Sequence, residues 1–382
     1  FINHRWEDGY IKLTKRLLIS SLNWIFMIRV GLVANPRSRR YMKRGAKARL
    51  ESLIGEYDRK VKVILREADD DPSPEAYDAA LEEFEDRDVH LLGYLSGDGE
   101  MSMGMTQMFN RSPNGSGFPI IFSARGGTVN VQANAAGLPD RTLYDSVFGE
   151  ETITEFTLRK VLDECARHQS DEELETVDRT LVHVHAREGN DRNGKDVYGF
   201  SFSTGIASNF LRAYEELGWG QPAAFFLMAR AIFDPSFRKR MLEVPHIHVT
   251  ARNNHQVYDY GEGNFNLLIA NSMDVTMNLG LWELNQPMIQ GINDKEAIRL
   301  LTSQDVSILD LLREVFSGRI IKKKGKEGID LQIPDIVPRD IYGKVTLEPR
   351  GRLSYMVDAD PYQTEGLVEL STTRPIPYLT LS

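Results

Sequence analysis

Two glycine turns, each closing an apolar run, constrain this chain more than any other feature. Between Leu91 and Leu138 it reads LLGYLSGDGEMSMGMTQMFNRSPNGSGFPIIFSARGGTVNVQANAAGL, a pattern of strand, turn, helix, loop, strand, turn, helix. The turns are Ser96-Gly97-Asp98-Gly99-Glu100 and Arg125-Gly126-Gly127-Thr128-Val129-Asn130. Lacking a Cβ, glycine admits positive φ and lets backbone N–H groups close on an anion. The helices that follow aim their positive ends the same way, so two such turns at one sheet edge make a phosphate site.

The flanking sequence extends the alternation upstream. An apolar run over 30–34 enters Asn35-Pro36, a basic helical stretch covers 39–57, and 60–65 alternates as a second strand. Ser73 and Pro74 supply a cap and a first-turn proline for a helix to Asp86, and strands follow over 89–95 and 119–123. Strands alternating with helices predict an α/β layer with a parallel sheet and a ligand at the strands' carboxyl ends. Past Leu138 a helix over 151–168 gives way to apolar alternation at 180–185, 197–202, 246–250, 264–270, 345–347 and 353–357. Helical stretches interrupt it at 205–217, 222–242 and 307–316. The expectation is therefore an N-terminal α/β nucleotide-binding domain over 29–142, after an extension over 1–28. A mostly antiparallel β-sandwich with inserted helices is expected over 143–382.

With 382 residues, 41% hydrophobic and 26% charged, the chain has material for two cores and the make-up of a soluble globular protein. A net charge of −9 argues against nucleic acid as partner, because a phosphate backbone demands a basic face. A single cysteine, Cys165, rules out an intrachain disulfide and is most simply read as a reducing, cytoplasmic setting. No apolar run reaches the roughly 18 residues of a membrane span. The nearest, over 17–28, follows Lys12, Lys15 and Arg16 and is broken by Ser20, Ser21 and Asn23. An accessory helix over 5–26 is the plainer reading, and a helix resting on a membrane with Trp24 and Phe26 at the headgroups is the other. A chain that opens on Phe1 is also consistent with a fragment of a longer one.

The order of these motifs resembles the diacylglycerol kinase and sphingosine kinase catalytic domain. SGDG followed by GGTVN stands where that family has GGDGT and P-x-G-T-x-N. Asn35-Pro36-Arg37-Ser38 stands at its N-P-x-S-G turn, and Val357-Asp358-Ala359-Asp360-Pro361 resembles its D-G-E-P segment. The chain departs from the pattern at Arg39, Glu100 and Ala359 and lacks the proline before Gly127-Thr128.

The resemblance implies a lipid kinase that transfers phosphate from ATP, with Mg²⁺, to the hydroxyl of diacylglycerol, a sphingoid base or a related lipid met at a membrane surface. It implies nucleotide contacts from Asn35, Arg37, Arg39, Ser96, Gly97, Gly99, Glu100, Gly126, Gly127, Thr128 and Asn130. Asp98 either orders the metal and nucleotide or activates the hydroxyl. Asp358, with Asp360 beside it on an extended segment, is the candidate general base. A homodimer is one assembly compatible with this reading. Two rivals stay open: a catalytically impaired relative kept as a nucleotide- or lipid-binding module, and an NAD kinase, which shares the GGDG turn.

Other patterns have plainer readings. His183/His185 and His246/His248 each set two imidazoles on one strand face, and four histidines could complete a zinc site, although chance pairing is the simpler account. Met101, Met103, Met105 and Met108 read as soft core packing. The run 322–326 reads as a solvated lysine hairpin, and without a G-x-x-x-x-G-K-[ST] loop a Walker-type NTPase is not supported.

Overall fold

The computed structural model describes residues 27–35, 45–67, 73–95, 98–124, 152–168, 170–187, 194–217, 221–244, 246–252, 256–272, 275–278, 282–285, 298–304, 321–323, 337–358 and 360–381. The helices expected over 5–26 and 307–316 lie outside them.

In the first part strands and helices alternate: β1 (Arg29–Ala34), α1 (Ala46–Tyr57), β2 (Lys62–Glu67), α2 (Pro74–Asp86), β3 (Leu91–Leu95), α3 (Asp98–Arg111), β4 (Ile120–Ser123) and α4 (Ile153–Cys165). Next come β5 (Thr176–Arg179), β6 (Val182–Ala186), β7 (Lys195–Gly199) and β8 (Ser201–Gly205), then α5 (Ile206–Leu217), α6 (Gln221–Phe233) and α7 (Pro235–Met241). The rest is strand: β9 (His246–Arg252), β10 (Val257–Asn264), β11 (Leu267–Asn271), β12 (Val275–Asn278), β13 (Trp282–Asn285), β14 (Ile298–Ser303) and β15 (Ile321–Lys323). It closes with β16 (Val337–Tyr342), β17 (Lys344–Pro349), β18 (Leu353–Val357), β19 (Asp360–Thr364), β20 (Val368–Thr372) and β21 (Ile376–Leu379).

Local chemistry sets several of these boundaries. Ser73 accepts a hydrogen bond from the Ala76 N–H at 3.3 Å and Pro74 follows it, so α2 starts where the sequence predicts. Thr152 and Glu155 cap each other's backbone at the start of α4. The helix expected over 222–242 is two helices. Asp234 breaks it, its carboxylate accepting from the Phe237 N–H at 3.0 Å while Pro235 opens α7.

The first sheet runs β2-β1-β3-β4-β21-β5, parallel through β21, so β21 and β5 bring residues 376–379 and 176–179 to it. Its core takes in Phe200, Tyr378, and Leu158, Val161 and Leu162 of α4. Two antiparallel sheets, β10-β9-β17-β20-β6-β7 and β16-β14-β11-β8-β18-β19, share one core. Val184, Val249, Leu347 and Leu370 come from one sheet, and Phe202, Leu268, Leu300 and Tyr355 from the other. This is the expected sandwich.

Two readings are corrected by the pairing. The run 197–202 is not one strand: β7 ends at Gly199 in one sheet and β8 starts at Ser201 in the other, with Phe200 turned into the first core. The run 264–270 likewise spans the end of β10 and the start of β11. Of the lysine run, residues 322 and 323 lie in β15, which pairs with β13 in a small three-stranded sheet, and 324–326 lie outside the described residues.

Candidate functional site

Because β1, β2, β3 and β4 are parallel, their carboxyl ends share one edge. The order β2-β1-β3-β4 places β1 between its two successors, so the chain's direction of winding reverses between β1 and β3. A crevice outside the carboxyl ends at such a reversal is where open α/β sheets bind ligands. Asn35, 3% exposed, closes β1 on one side of it, and α3 begins at Asp98 on the other. The helix takes up Asp98, Gly99 and Glu100 as its first turn, so these residues belong to α3 and not to the glycine turn expected over 96–100. Its N-terminal end, the end that favours anions, therefore opens beside the reversal. Arg37, Arg39, Ser96, Gly97, Gly126, Gly127, Thr128 and Asn130 lie outside the described residues.

What holds α3 in place ties that edge to the antiparallel part. Ser102 donates its hydroxyl to the Tyr198 carbonyl at 2.6 Å, and the Tyr198 N–H donates to Thr106 Oγ1 at 3.0 Å. Phe109 stacks on Tyr198 with ring centroids 4.5 Å apart. Met101, Met105 and Met108 are buried and Met103 packs beside them, so the methionine cluster is core. Tyr198, on β7, thus meets α3 through its backbone and its ring. Burial, with Asp196 adding to it, pushes the Tyr198 phenol up to about 12 and keeps it neutral.

Asp358 sits at the joint between the two parts. β18 and β19 form a hairpin in which Val357 pairs with Asp360, and Asp358 follows β18 as it turns. Asp358 has φ of 52°, a left-handed turn value that Asp tolerates better than most side chains. This corrects the extended segment expected over 354–360: Asp358 and Asp360 do not share a strand face. The Asp358 carboxylate instead accepts from the Phe200 N–H at 3.0 Å, the Ser201 N–H at 2.9 Å and the Ser201 hydroxyl at 3.2 Å. Its own N–H donates to the Ser201 carbonyl at 2.9 Å. Gly199 makes this approach feasible, because a Cβ there would lie 2.7 Å from Asp358 Oδ2.

The donors to Asp358 are the N–H groups where the chain changes sheets. Phe200 packs edge-on against Tyr378 of the first sheet, centroids 5.5 Å apart. The Tyr378 phenol is pushed well up by burial, then by Tyr94 and Asp358, with Arg179 opposing. A carboxylate at this joint, fixed by backbone donors, can accept a proton from a hydroxyl brought beside it. Asp360, opening β19, adds its charge to burial in raising the neighbouring Tyr362. Sequence reasoning singles out Asp358 as a candidate but not its partners Phe200 and Ser201, since backbone donors carry no side-chain signature. The one available sign was Gly199 inside an apolar run.

No family model matches the sequence, and no curated protein matches it either. Solved structures do match. The crystal structure of a diacylglycerol kinase from Bacillus anthracis str. Sterne superposes with a TM-score of 0.54 at 11% identity, covering 92% of this chain and 96% of the other. Two further structures from that strain, of a protein assigned as a diacylglycerol kinase, give 0.57 and 0.58 at 13% identity. They cover 92% and 91% of this chain and 97% and 95% of theirs. Over nearly its whole length, then, the chain has the fold seen in diacylglycerol kinase structures: a parallel α/β part joined to an antiparallel sandwich.

Proposed function

We propose that the chain is a kinase that transfers the γ-phosphoryl group of ATP to a lipid hydroxyl. The observation that carries this reading is Asp358, a carboxylate fixed by Phe200 and Ser201 at the seam with the parallel sheet. Phosphoryl transfer asks little of a protein beyond positioning, charge neutralisation and one proton acceptor. In this reading the backbone of the two glycine turns and the start of α3 cradle the phosphates, and Arg37 and Arg39 offset their charge. Mg²⁺, arriving with the triphosphate and held by Asp98, would neutralise charge on the transferred group. Asp358 takes the proton of the attacking hydroxyl.

A lipid acceptor is favoured by the surface of the helical insert. Phe226, Ile232, Phe233 and Leu242 are exposed there, Phe233 by 82%, among Arg230, Arg238, Lys239 and Arg240. In a protein with a net charge of −9, this basic and aromatic stretch suits an anionic membrane surface. Beneath it a cavity of about 820 Å³ is lined by Asn209, Arg212, Leu227, Arg230, Arg240 and Arg352, among others. That size accommodates a headgroup with part of its chain. No helix among the described residues is long and apolar enough to cross a membrane.

The test is transfer of labelled γ-phosphate from ATP into a panel of lipid extracts, with NAD as a separate acceptor. Label in a lipid supports the reading. Label in NAD alone replaces it with the NAD kinase reading, and label in neither, with ATP still bound, leaves a binding module.

A further inference from the structure

β6 and β7 gather two imidazoles and a carboxylate that the kinase reading does not use. β6 alternates, burying Val182, Val184 and Ala186 in the sandwich and turning His183 and His185 to the opposite face. In the antiparallel register His183 lies opposite Tyr198 and His185 opposite Asp196. Asp196 Oδ1 lies 2.6 Å from His183 Nε2 and 2.8 Å from His185 Nδ1. One ligand atom from each of the three residues lies within 4.8 Å of the others.

Both rings are held in this orientation from outside the cluster. His183 lies flat on Tyr198, centroids 4.5 Å apart and planes 6° apart, and its Nδ1 is 3.3 Å from the Ser371 hydroxyl. An oxygen acceptor on the second nitrogen fixes the orientation and tautomer of a metal-bound imidazole, and the Ser371 hydroxyl can take that part. His185 packs over Gly194, where a Cβ would lie 2.6 Å from its Cε1, and Gly194 has φ of 54°. The neighbouring carboxylate, Glu369, lies opposite His185 on β20 but is engaged with Lys344 at 2.5 Å and Arg187 at 3.4 Å. The three side chains are 24–37% exposed, so the cluster is open to solvent.

The second histidine pair is an internal contrast. β9 lies three strands away from β6 in the sheet, so the two pairs cannot share an ion. His248 bonds Asp259 at 2.7 Å, whereas His246 faces Asn264 and Glu262, and the three-donor convergence is not repeated among the described residues.

We propose that His183, His185 and Asp196 bind a divalent transition metal of the zinc type on the outer face of the sandwich. Two imidazoles and one carboxylate suit zinc and its neighbours, whereas Mg²⁺ and Ca²⁺ prefer all-oxygen sets. Three protein ligands leave a position for water. Through the stack of His183 on Tyr198 and Tyr198 on Phe109, the ion would brace the edge strand against α3, the helix that begins at the glycine turn.

The test is Zn²⁺ titration of the full chain, stripped with chelator, in competition with a chromogenic chelator, alongside the thermal midpoint with and without Zn²⁺. Expected are one saturable equivalent, a raised midpoint because the ion binds the folded state alone, and no displacement by Mg²⁺. His185→Gln and Asp196→Asn, conservative changes checked for folding by circular dichroism, should each weaken binding by about tenfold or more. His248→Ala should leave it unchanged. Absence of saturable binding, binding unaltered in both variants, loss in His248→Ala, or displacement by Mg²⁺ overturns the proposal. None of these readings depends on phosphoryl transfer.

Discussion

The parallel sheet and the antiparallel sandwich put their chemistry in different places. β3 is buried at all five positions and β1 from Val30 through Ala34, because helices cover both faces of a parallel sheet. Nothing reactive can project from the middle of such strands, so a site on this sheet belongs at their ends. β6 and β9 bury every second residue and leave one face to solvent. Polar side chains can therefore meet mid-strand, as His183, His185 and Asp196 do. The difference teaches where to look: at strand ends in the first part, on strand faces and at corners in the second.

Substitution of consecutive residues should separate the two kinds of strand. In β3, Leu91→Ala and Leu92→Ala should each cost about 2–5 kcal/mol, since both neighbours are buried. In β20, Leu370→Ala should cost as much while the adjacent Ser371→Ala stays within about 0.5 kcal/mol. Urea unfolding midpoints decide it, and a costly Ser371→Ala would show that the outer sandwich face is packed after all.

Asp358→Asn keeps the shape and the left-handed turn but cannot take a proton. Turnover should fall about 10²-fold while ATP affinity persists. If Asp358→Asn retains full turnover and Asp98→Asn abolishes it with ATP still bound, the proton acceptor lies at the parallel sheet's edge instead of at the corner.

A smaller effect is expected at the break between α6 and α7. Asp234→Ala removes the cap on the Phe237 N–H and should cost about 1 kcal/mol by denaturant midpoint. Two histidines, one in each part, should also answer pH with opposite sign, by amounts smaller still. His90, just before β3, is held below its ordinary 6.5 by burial and then by the Arg29 guanidinium. Its contribution to stability is complete above 6.5 and lost as pH falls through the folded value. His248 on β9 is raised by its hydrogen bond to Asp259, so its contribution is complete below 6.5 and lost as pH rises through the folded value. His90→Gln should flatten the acid side of the midpoint-against-pH curve. His248→Gln should lower the midpoint near about pH 5.5 and leave it unchanged near about pH 8.5.

Much of the first part was legible because its signals are local. Ser73-Pro74 starts a helix by its own hydrogen bond and ring, and apolar runs ending in glycine mark strand ends wherever they later pack. Asn35 and Asp98 were placed at the sheet edge from such runs alone, and the parallel pairing put them on either side of the winding reversal. The corner at Phe200 was not legible. An apolar run over 197–202 reads as one strand until a second sheet claims its later half.

The alternating elements and the candidacy of Asp358 can be read from short stretches of chain, because periodicity, capping and turn chemistry act within a few residues of their cause. It is the packing of the sheets that turns Asp358 back onto Phe200 and Ser201, more than 150 residues earlier. The pairing of strands likewise decides that Asp196, and not a second histidine pair, meets His183 and His185. Both outcomes depend on strand register and sheet order, which are set by the burial of whole faces against one another and not by any short stretch of chain.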